Sequence, residues 1–460
     1  MDFDSTVIVS TSNEQLLADK IFIKAACEPH SQYFNHGRNS GRETDTSMTI
    51  GVGGKTPAQA LQALHVMTAG STPISLAQYR QRIETAQKRM RELGIAAIYL
   101  NAGTNLLYFT GMQWRPSERL VGALLPAEGA LEFIAPWFEV GTVQEYMVLP
   151  GAVNAWHEHE SPFALCIQVL ARMGVQASPT QAVTLGMDES AAFFVADGIA
   201  QCAQGLRVIN AYEVTAYCRM RKSTEEIALM QRAKDMTLAV HQATASMLHE
   251  GITTTEVEAF IAQAHRQVGA TGSFFCIVLF GQATAFPHGV KDPQVLKSGD
   301  MVLIDTGCRL HGYLSDITRT YVFGEPNERQ RQVWNAEKSA QAAAFAAAQP
   351  GIPCADVDRA ARHQLANDGF GPGYTLPGLP HRTGHGIGLD IHEWPYLVQG
   401  DATPLAEGMC FSNEPMICVP GEFGVRLEDH FYMTATGPRW FTTPSHSVDD
   451  PFGLGAGSCS

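Results

Sequence analysis

Five residues in the C-terminal half of the chain have the types and surroundings to do chemistry: Asp305, Asp316, His385, Glu414 and Glu428. They sit in LIDTGCRLHGYLSDITRT, HRTGHGIGLDIHEWP, MCFSNEPMICVPG and GVRLEDHFYMT, each an apolar strand-like or glycine-rich run. Four carboxylates and one imidazole are costly to bury in such surroundings unless positive charge compensates them. Two adjacent divalent cations would do so. An oxygen-rich set with one imidazole and no thiolate suits Mn²⁺, Co²⁺ or Fe²⁺, and Zn²⁺ less diagnostically. The pattern is that of a two-metal hydrolytic site, where paired cations make hydroxide available near neutral pH.

The spacing supports this reading. Asp305 and Asp316 lie on either side of a turn-like stretch at 309–312, which predicts neighbouring strands of a hairpin with both side chains on one face. Like charges so placed repel, so cations between them are expected. Glu414 and Glu428 repeat the arrangement around Pro420-Gly421. A single Asp or Glu in such a position commonly caps a turn or faces solvent; four of them together with the GHG at 384–386 do not fit that explanation. Gly384 and Gly386 allow a tight backbone and close approach of a metal to His385.

A weak internal duplication surrounds these residues. GITTTEVEAF at 251 matches GIPCADVDRA at 351, and SGDMVLID at 298–305 matches AEGMCFSNE at 406–414. PHG at 287–289 falls where GHG at 384–386 would lie in a second copy. Two related halves facing each other would bring one hairpin from each to a shared centre.

Upstream, Tyr79, Ile83, Ala86, Met90 and Leu93 recur with helical spacing, and Gly94 marks the helix end. A buried strand is expected at 95–100, then strand, turn and strand over 120–126, 127–129 and 130–135. Ser223 and Glu226 form a capping-box pattern that opens a helix running to about His249 and stopping at Gly251. The expected organisation is a poorly ordered extension at 1–47, an α/β domain at 48–220, a second domain at 221–448 and a flexible tail at 449–460. An alternative start at Met48 stays open.

At 460 residues the chain is long enough for two domains, with 45% hydrophobic and 17% charged residues. A formal charge of −14 argues against nucleic acid or an anionic membrane as partner. No apolar run approaches the ~18 residues that would span a bilayer, and MDFDST lacks the basic and apolar regions of a signal peptide. Ten cysteines without CxxC spacing suit reduced thiols, so a cytoplasmic protein is expected.

Carried by these motifs, the chain resembles the pita-bread-fold metallopeptidases, the group that holds methionine aminopeptidases, aminopeptidase P and prolidase. HRTGHGIGLDIHE and GVRLEDHFY resemble bacterial Xaa-Pro dipeptidases (prolidases) most, and GIAAIYLNAGTNLLYFTGM resembles a creatinase-like N-terminal domain. The resemblance covers residues of about 76–445. It implies an α/β creatinase-like N-terminal domain followed by an α+β pita-bread catalytic domain with internal pseudo-twofold duplication. It further implies a homodimer, a proline-containing di- or oligopeptide substrate and two divalent metal ions, Mn²⁺ foremost. By resemblance Asp305 binds one metal, Asp316 and Glu428 bridge both, and His385 and Glu414 bind the second. Glu414 matches the general base, His392 the histidine that stabilises the tetrahedral intermediate, and His288 the one that contacts substrate near the scissile bond. Arg426 is expected to orient a ligand carboxylate, and Arg382 and His381 to line the pocket. Trp394 and Pro395 are placed at the proline pocket, and Trp114 and Arg119 in reach of a neighbouring subunit.

Two departures stand out. Many prolidases carry a tyrosine fourteen residues before the first catalytic histidine, where this chain has Phe274, a residue that an ordinary core strand would also hold. Dipeptide-specific relatives often place an arginine shortly before the PGM-like turn to bind the substrate's free carboxylate, and VQGDATPLAEGM has none. Cys276, Cys308 and Cys410 read as small hydrophobes near the site, and His157 and His159 as loop residues. The competing activities are an Xaa-Pro aminopeptidase on longer peptides, a metal-free creatinase-like C–N hydrolase, and a non-catalytic pita-bread binding protein. The complete ligand set argues against the last two.

Overall fold

The computed structural model describes residues 49–455, and the extension expected at 1–47 lies outside them. A short helix α1 (Pro57–Gln62) precedes α2 (Leu76–Leu93), which opens with a Ser75–Gln78 capping box and ends at Gly94 in the left-handed conformation, φ 67°. The buried face of α2 carries Tyr79, Ala86 and Met90, as the periodicity predicts, and also Arg82. There follow β1 (Ala97–Asn101), α3 (Thr104–Thr110), β2 (Gly122–Pro126), β3 (Glu132–Pro136), α4 (Val140–Tyr146), β4 (Ala152–Trp156), α5 (Pro162–Arg172), β5 (Val183–Met187), α6 (Phe193–Gln201), β6 (Leu206–Asn210) and α7 (Tyr212–Arg219). The strands form one sheet in the order β4-β3-β2-β1-β5-β6. Its middle is the antiparallel run β1–β2–β3 and its flanks are parallel pairs. All five residues of β1 and of β2 are buried, because helices cover both faces.

The second domain opens with α8 (Thr224–Met247), capped by Ser223 and Glu226 as expected, followed by α9 (Thr254–Gln267). Strands β7 (Phe275–Phe280), β8 (Met301–Gly307), β9 (Arg309–Leu310), β10 (Tyr313–Leu314) and β11 (Ile317–Val322) complete the first half. The second half repeats the plan with α10 (Glu328–Ala347), α11 (Cys354–Asn367), β12 (Gly384–Gly386), β13 (Glu393–Leu397), β14 (Cys410–Asn413), β15 (Met416–Val419), β16 (Phe423–Arg426), β17 (Asp429–Thr434) and β18 (Gly437–Trp440). Antiparallel β7–β8–β11 matches antiparallel β12–β14–β17, and hairpin β9–β10 matches β15–β16. Each helix pair turns through a left-handed glycine, Gly251 or Gly351, and each second helix begins beside a single β-bridge, Thr253 to Val295 or Pro353 to Pro404.

The duplication is therefore a property of the fold, with one correction to its expected register. PHG lies in the loop after β7, whereas GHG is strand β12 itself. By order of elements, the counterpart of His288 is His392, which lies in the loop after β12.

The expected boundary at residue 48 also shifts. Residues 49–75 pack on the second domain: α1 lies against α8 and α9, Gly53 N–H donates to the Ala245 carbonyl, and Met67 N–H to that of Val268. The α/β domain thus begins at α2. At the other end the fold continues past 448, since Asp449 pairs with Arg331 and accepts from Ile50 N–H.

One apolar core runs through both domains, from Met90, Ile98 and Phe109 to Met230, Val240 and Ile304, while a second fills the later half around Trp334, Phe411 and Phe431. Among the described residues no helix is long and apolar enough to cross a membrane.

Candidate metal centre

Strand register brings the five residues together. Asp305 on β8 pairs with Thr318 on β11, so Asp316, just before β11, is its diagonal neighbour on the same face. The hairpin between them closes at His311 and Gly312, both with positive φ (49° and 94°). In the second half Asn413 pairs with Asp429, which sets Glu414 and Glu428 opposite each other at the end of that ladder. A bridge joins the halves: Glu428 N–H donates to the Thr318 carbonyl at 3.1 Å, and Thr318 Oγ1 donates to Glu428 Oε2 at 2.8 Å.

His385 enters from β12. A Cβ on Gly384 would lie 2.1 Å from the Ser412 carbonyl oxygen, and one on Gly386 would lie 2.5 Å from that of Glu393. These glycines thus serve close strand packing, which differs from the expected role of admitting a metal.

The donor set fits a cation. One oxygen or nitrogen each from Asp316, His385 and Glu428 lies within 4.8 Å of the others, all three residues being buried. Asp305 Oδ1, Asp316 Oδ1 and Glu428 Oε1 are buried with no hydrogen-bond partner. Burial raises the pKa of Asp305, Asp316 and Glu428, and the neighbouring carboxylates add to it; Arg426 opposes this at Asp305. For Glu414 burial also pushes upward, but His385 beside it outweighs that and holds it low. His385 Nδ1 lies 3.0 Å from the Gly386 carbonyl, an acceptor only, so Nδ1 carries the proton. Its Nε2 lies 3.0 Å from Glu414 Oε1 and 3.8 Å from Asp316 Oδ2, donating to Glu414 where no cation is bound and offering its lone pair to one that is. A lone pair facing carboxylates is stable when a cation lies among them.

The buried faces of two helices hold the segments that carry Asp316 and Glu428. On α8, Lys234 Nζ donates to the Leu314 carbonyl at 3.2 Å, Thr237 Oγ1 bonds Ser315 Oγ at 2.7 Å, and His241 Nε2 bonds the Ile317 carbonyl at 2.9 Å. These contacts bracket Asp316. On α10, Glu337 Oε1 accepts from Leu427 N–H at 3.2 Å, and Gln341 Nε2 donates to the Leu427 carbonyl at 3.0 Å and that of Asn413 at 3.3 Å. Thr237 and His241 thus correspond in the repeat to Glu337 and Gln341, offset by the same interval as Gly251 and Gly351. The sequence signal for them is a polar stripe at helical spacing on an otherwise buried face.

Beside the carboxylates opens a cavity of about 430 Å³ lined by Pro287, His288, Pro380, His381, Arg382, His392, Glu414 and Arg426. All three residues expected around the ligands are here. Arg426 donates to Asp305 Oδ2 at 2.5 Å, to Thr318 Oγ1 at 3.1 Å and to the Pro287 carbonyl at 3.0 Å. His381 Nδ1 bonds the Arg382 carbonyl at 2.7 Å. The His392 ring lies 4.3 Å from that of His385; loss of surrounding water, then His385 and Arg382, push its pKa down to about 4.

Other expected positions fall elsewhere. Trp394 packs edge-on against Tyr212 of α7, 5.1 Å away, and neither it nor Pro395 lines the cavity. Phe274 precedes β7 and is 43% exposed beneath Arg309, unlike a core strand residue. Cys308 and Cys410 are buried and Cys276 is partly so; burial pushes the thiols of Cys276 and Cys410 up to about 12, so they behave as apolar fillers. His157 and His159 stack on each other after β4, and Arg119 pairs with Glu118 and Glu158 on the surface of the first domain, where Trp114 packs on Tyr146.

A buried ionic cluster at the domain boundary escaped the sequence reading. Arg219 donates to Asp390 Oδ2 at 2.7 Å and Glu393 Oε1 at 2.6 Å, and Lys222 to Glu393 Oε2 at 2.9 Å. Thr104 adds a 2.6 Å bond to Asp390. Together they tie down the loop on both sides of His392. Arg219 and Lys222 are three apart and Glu393 follows His392, but only the fold shows that these charges meet.

Known proteins resemble this chain in sequence and fold. Residues 228–435 match the model of metallopeptidase family M24, and residues 82–221 that of the creatinase/prolidase N-terminal domain. The chain is 32% identical over 358 residues to a putative dipeptidase of Bacillus subtilis, covering 77% of this chain and 96% of that one. Dipeptidase PepE of Mycobacterium ulcerans superimposes with a TM-score of 0.76 at 32% identity, covering 82% of this chain and 99% of that chain. A prolidase from Thermococcus sibiricus does so with a TM-score of 0.71 at 30% identity, covering 79% and 97%. The geometry at the seam and these similarities agree: the chain belongs to metallopeptidase family M24 and carries that family's catalytic domain behind a creatinase/prolidase N-terminal domain.

Proposed function

We propose that the protein is a dinuclear-metal exopeptidase that hydrolyses the Xaa-Pro bond of dipeptides, working with two divalent cations, Mn²⁺ foremost. The observation that carries this reading is the set of buried, unpartnered carboxylate oxygens around His385, at the wall of a cavity sized for a small peptide. The relatives named dipeptidase and prolidase support it. Asp305, Asp316, His385, Glu414 and Glu428 hold the cations, which when bound would acidify a shared water and polarise the scissile carbonyl. Glu414 lines the cavity with one oxygen fixed by Ser412 at 3.1 Å, and takes the proton released as water attacks. His392, kept neutral by its surroundings, donates a hydrogen bond to the oxygen that gains charge, and His288, which lines the same cavity, orients the substrate. Arg426 holds Asp305 in its ligating position. Proline's tertiary amide lacks the N–H that ordinary peptidases recognise and has a fixed φ, so a dedicated site is chemically reasonable. The reading includes a cytoplasmic location and a homodimer, the latter supported by the exposed Trp137, Phe138 and Tyr146 on the first domain; a chromatographic mass equal to one chain would remove the homodimer.

The test is hydrolysis of Ala-Pro and Ala-Pro-Ala by metal-stripped protein with and without Mn²⁺. Mn²⁺-dependent cleavage of the dipeptide alone is expected. Cleavage of the tripeptide as well would move the assignment to an Xaa-Pro aminopeptidase, and cleavage of neither with any metal would leave a pita-bread binding protein.

A further inference from the structure

The cavity holds two guanidinium groups, and their situations differ. Arg426 is buried and committed: its donors go to Asp305, Thr318 and the Pro287 carbonyl. Arg382 is only partly buried, and among the described residues its guanidinium has neither a hydrogen-bond acceptor nor an ion-pair partner. What fixes it is an aromatic face, since its central carbon lies 4.4 Å from the centre of the Tyr396 ring. Tyr396 is in turn the cross-strand partner of His385 in the β12–β13 pair. A planar fork of donors is therefore held over an aromatic ring of the strand pair that carries a metal ligand, three residues before that ligand, with its donors unpaired at the cavity wall.

Such a group has a natural ligand. Guanidinium matches a carboxylate in shape and charge and can bind it with two parallel hydrogen bonds. In a dipeptide the free α-carboxylate sits one residue beyond the scissile bond, so it reaches the wall of the same small cavity; in a longer peptide that position is an uncharged amide. We propose that Arg382 reads the terminal carboxylate of the substrate and thereby restricts the site to dipeptides. This inference rests on the peptidase reading and deepens it. It also accounts for dipeptide selection by a chain with no arginine in its 398–409 segment. An amide in place of the carboxylate would leave the fork desolvated and unmatched, so discrimination arises from the penalty as well as the attraction.

The experiment compares Ala-Pro with its C-terminal amide on Mn²⁺-loaded wild type, Arg382→Leu and Arg382→Lys. Wild type is expected to favour the free acid in kcat/KM by about 10- to 100-fold, the range of a hydrogen bond to a charged group. Arg382→Leu should bring that ratio near one, and Arg382→Lys, which keeps charge without the fork, should restore part of it. A wild-type ratio retained in Arg382→Leu would overturn the proposal. Calorimetric titration with L-proline and L-prolinamide reads the same preference without turnover. A loss of acid preference on going to Arg382→Leu supports the assignment, and an unchanged or absent preference overturns it. Failure of the peptidase reading would instead appear as no hydrolysis of either peptide by wild type.

Discussion

Arg219, the last residue of α7, donates a 2.6 Å hydrogen bond to Glu393, the residue that follows His392. Both side chains are almost fully buried, and Lys222 holds the second carboxylate oxygen. Glu393 Oε1 also accepts from the Leu389 and Asp390 N–H groups at 2.9 and 3.1 Å, so the pair fixes the backbone of the loop as well. Burial alone would raise the Glu393 pKa, but the two cations outweigh it and hold it at about 2. The first domain thus contributes to the site through a clamp on the histidine loop.

Removing one partner of such a buried network leaves uncompensated charge. Arg219→Met is expected to lower unfolding stability by about 3 kcal/mol at pH 7, and to reduce kcat on Ala-Pro because His392 loses its fixed position. Urea unfolding and steady-state kinetics check both. Unchanged stability would show that Lys222 alone satisfies Glu393.

Asp316 has three acidic neighbours, Glu428, Asp305 and Glu414, and an unpartnered oxygen, which a cation would satisfy. Asp316→Asn is expected to reduce bound Mn²⁺ from two ions per chain to one or none, with turnover falling on the order of 10³-fold. Elemental analysis after dialysis counts the ions independently of activity. Full occupancy in the variant would remove Asp316 from the ligand set.

The polar stripes on α8 and α10 make a prediction the ligands alone do not. Thr237→Val and Gln341→Leu should each weaken Mn²⁺ binding by roughly 10- to 100-fold, the effect of losing support behind a ligand. The far-UV circular dichroism should be unaltered. Titration calorimetry on the metal-free variants measures this directly. Equal affinities in wild type and both variants would reduce the stripes to simple packing.

His265 is buried between Thr237, 3.2 Å away, and Ser273, 2.9 Å away, and burial lowers its pKa from 6.5 to about 4. Between those pH values the unfolded chain binds the extra proton and the folded chain does not. Stability is therefore complete above about pH 6.5 and is lost as pH falls toward 4, by roughly 3 kcal/mol for this group. His265→Gln should flatten that limb in urea unfolding of the metal-free protein measured at several pH values. An equally steep limb in the variant would assign the loss to other groups, of which buried His241 is the first to examine.

The five residues proposed to hold the cations were legible in the sequence because each is an acid or imidazole in an apolar or glycine-rich run, where burial without compensation is unfavourable. The capping box at Ser223, the period of α2 and the end of α8 before Gly251 were legible for a similar reason. They depend on contacts within a few residues, which composition and spacing record directly. The repeat was visible too, but its register was not: PHG and GHG look alike as strings, and the order of elements sets His288 against His392 instead.

Long-range pairing also decided what no local pattern encodes. Arg82 meets Glu226 and Tyr313 across the domain boundary, 2.9 and 2.7 Å away, and residues 49–75 pack on the second domain although they precede the first. Arg219 and Glu393, Thr237 and Ser315, and Gln341 and Leu427 are likewise far apart in the chain. The sequence by itself determined which groups are costly to bury without compensating charge, because that cost belongs to the residue type. The tertiary structure decided which of the two cavity arginines keeps its donors free and which helices steady the ligands, because those depend on which distant surfaces the shared core brings together.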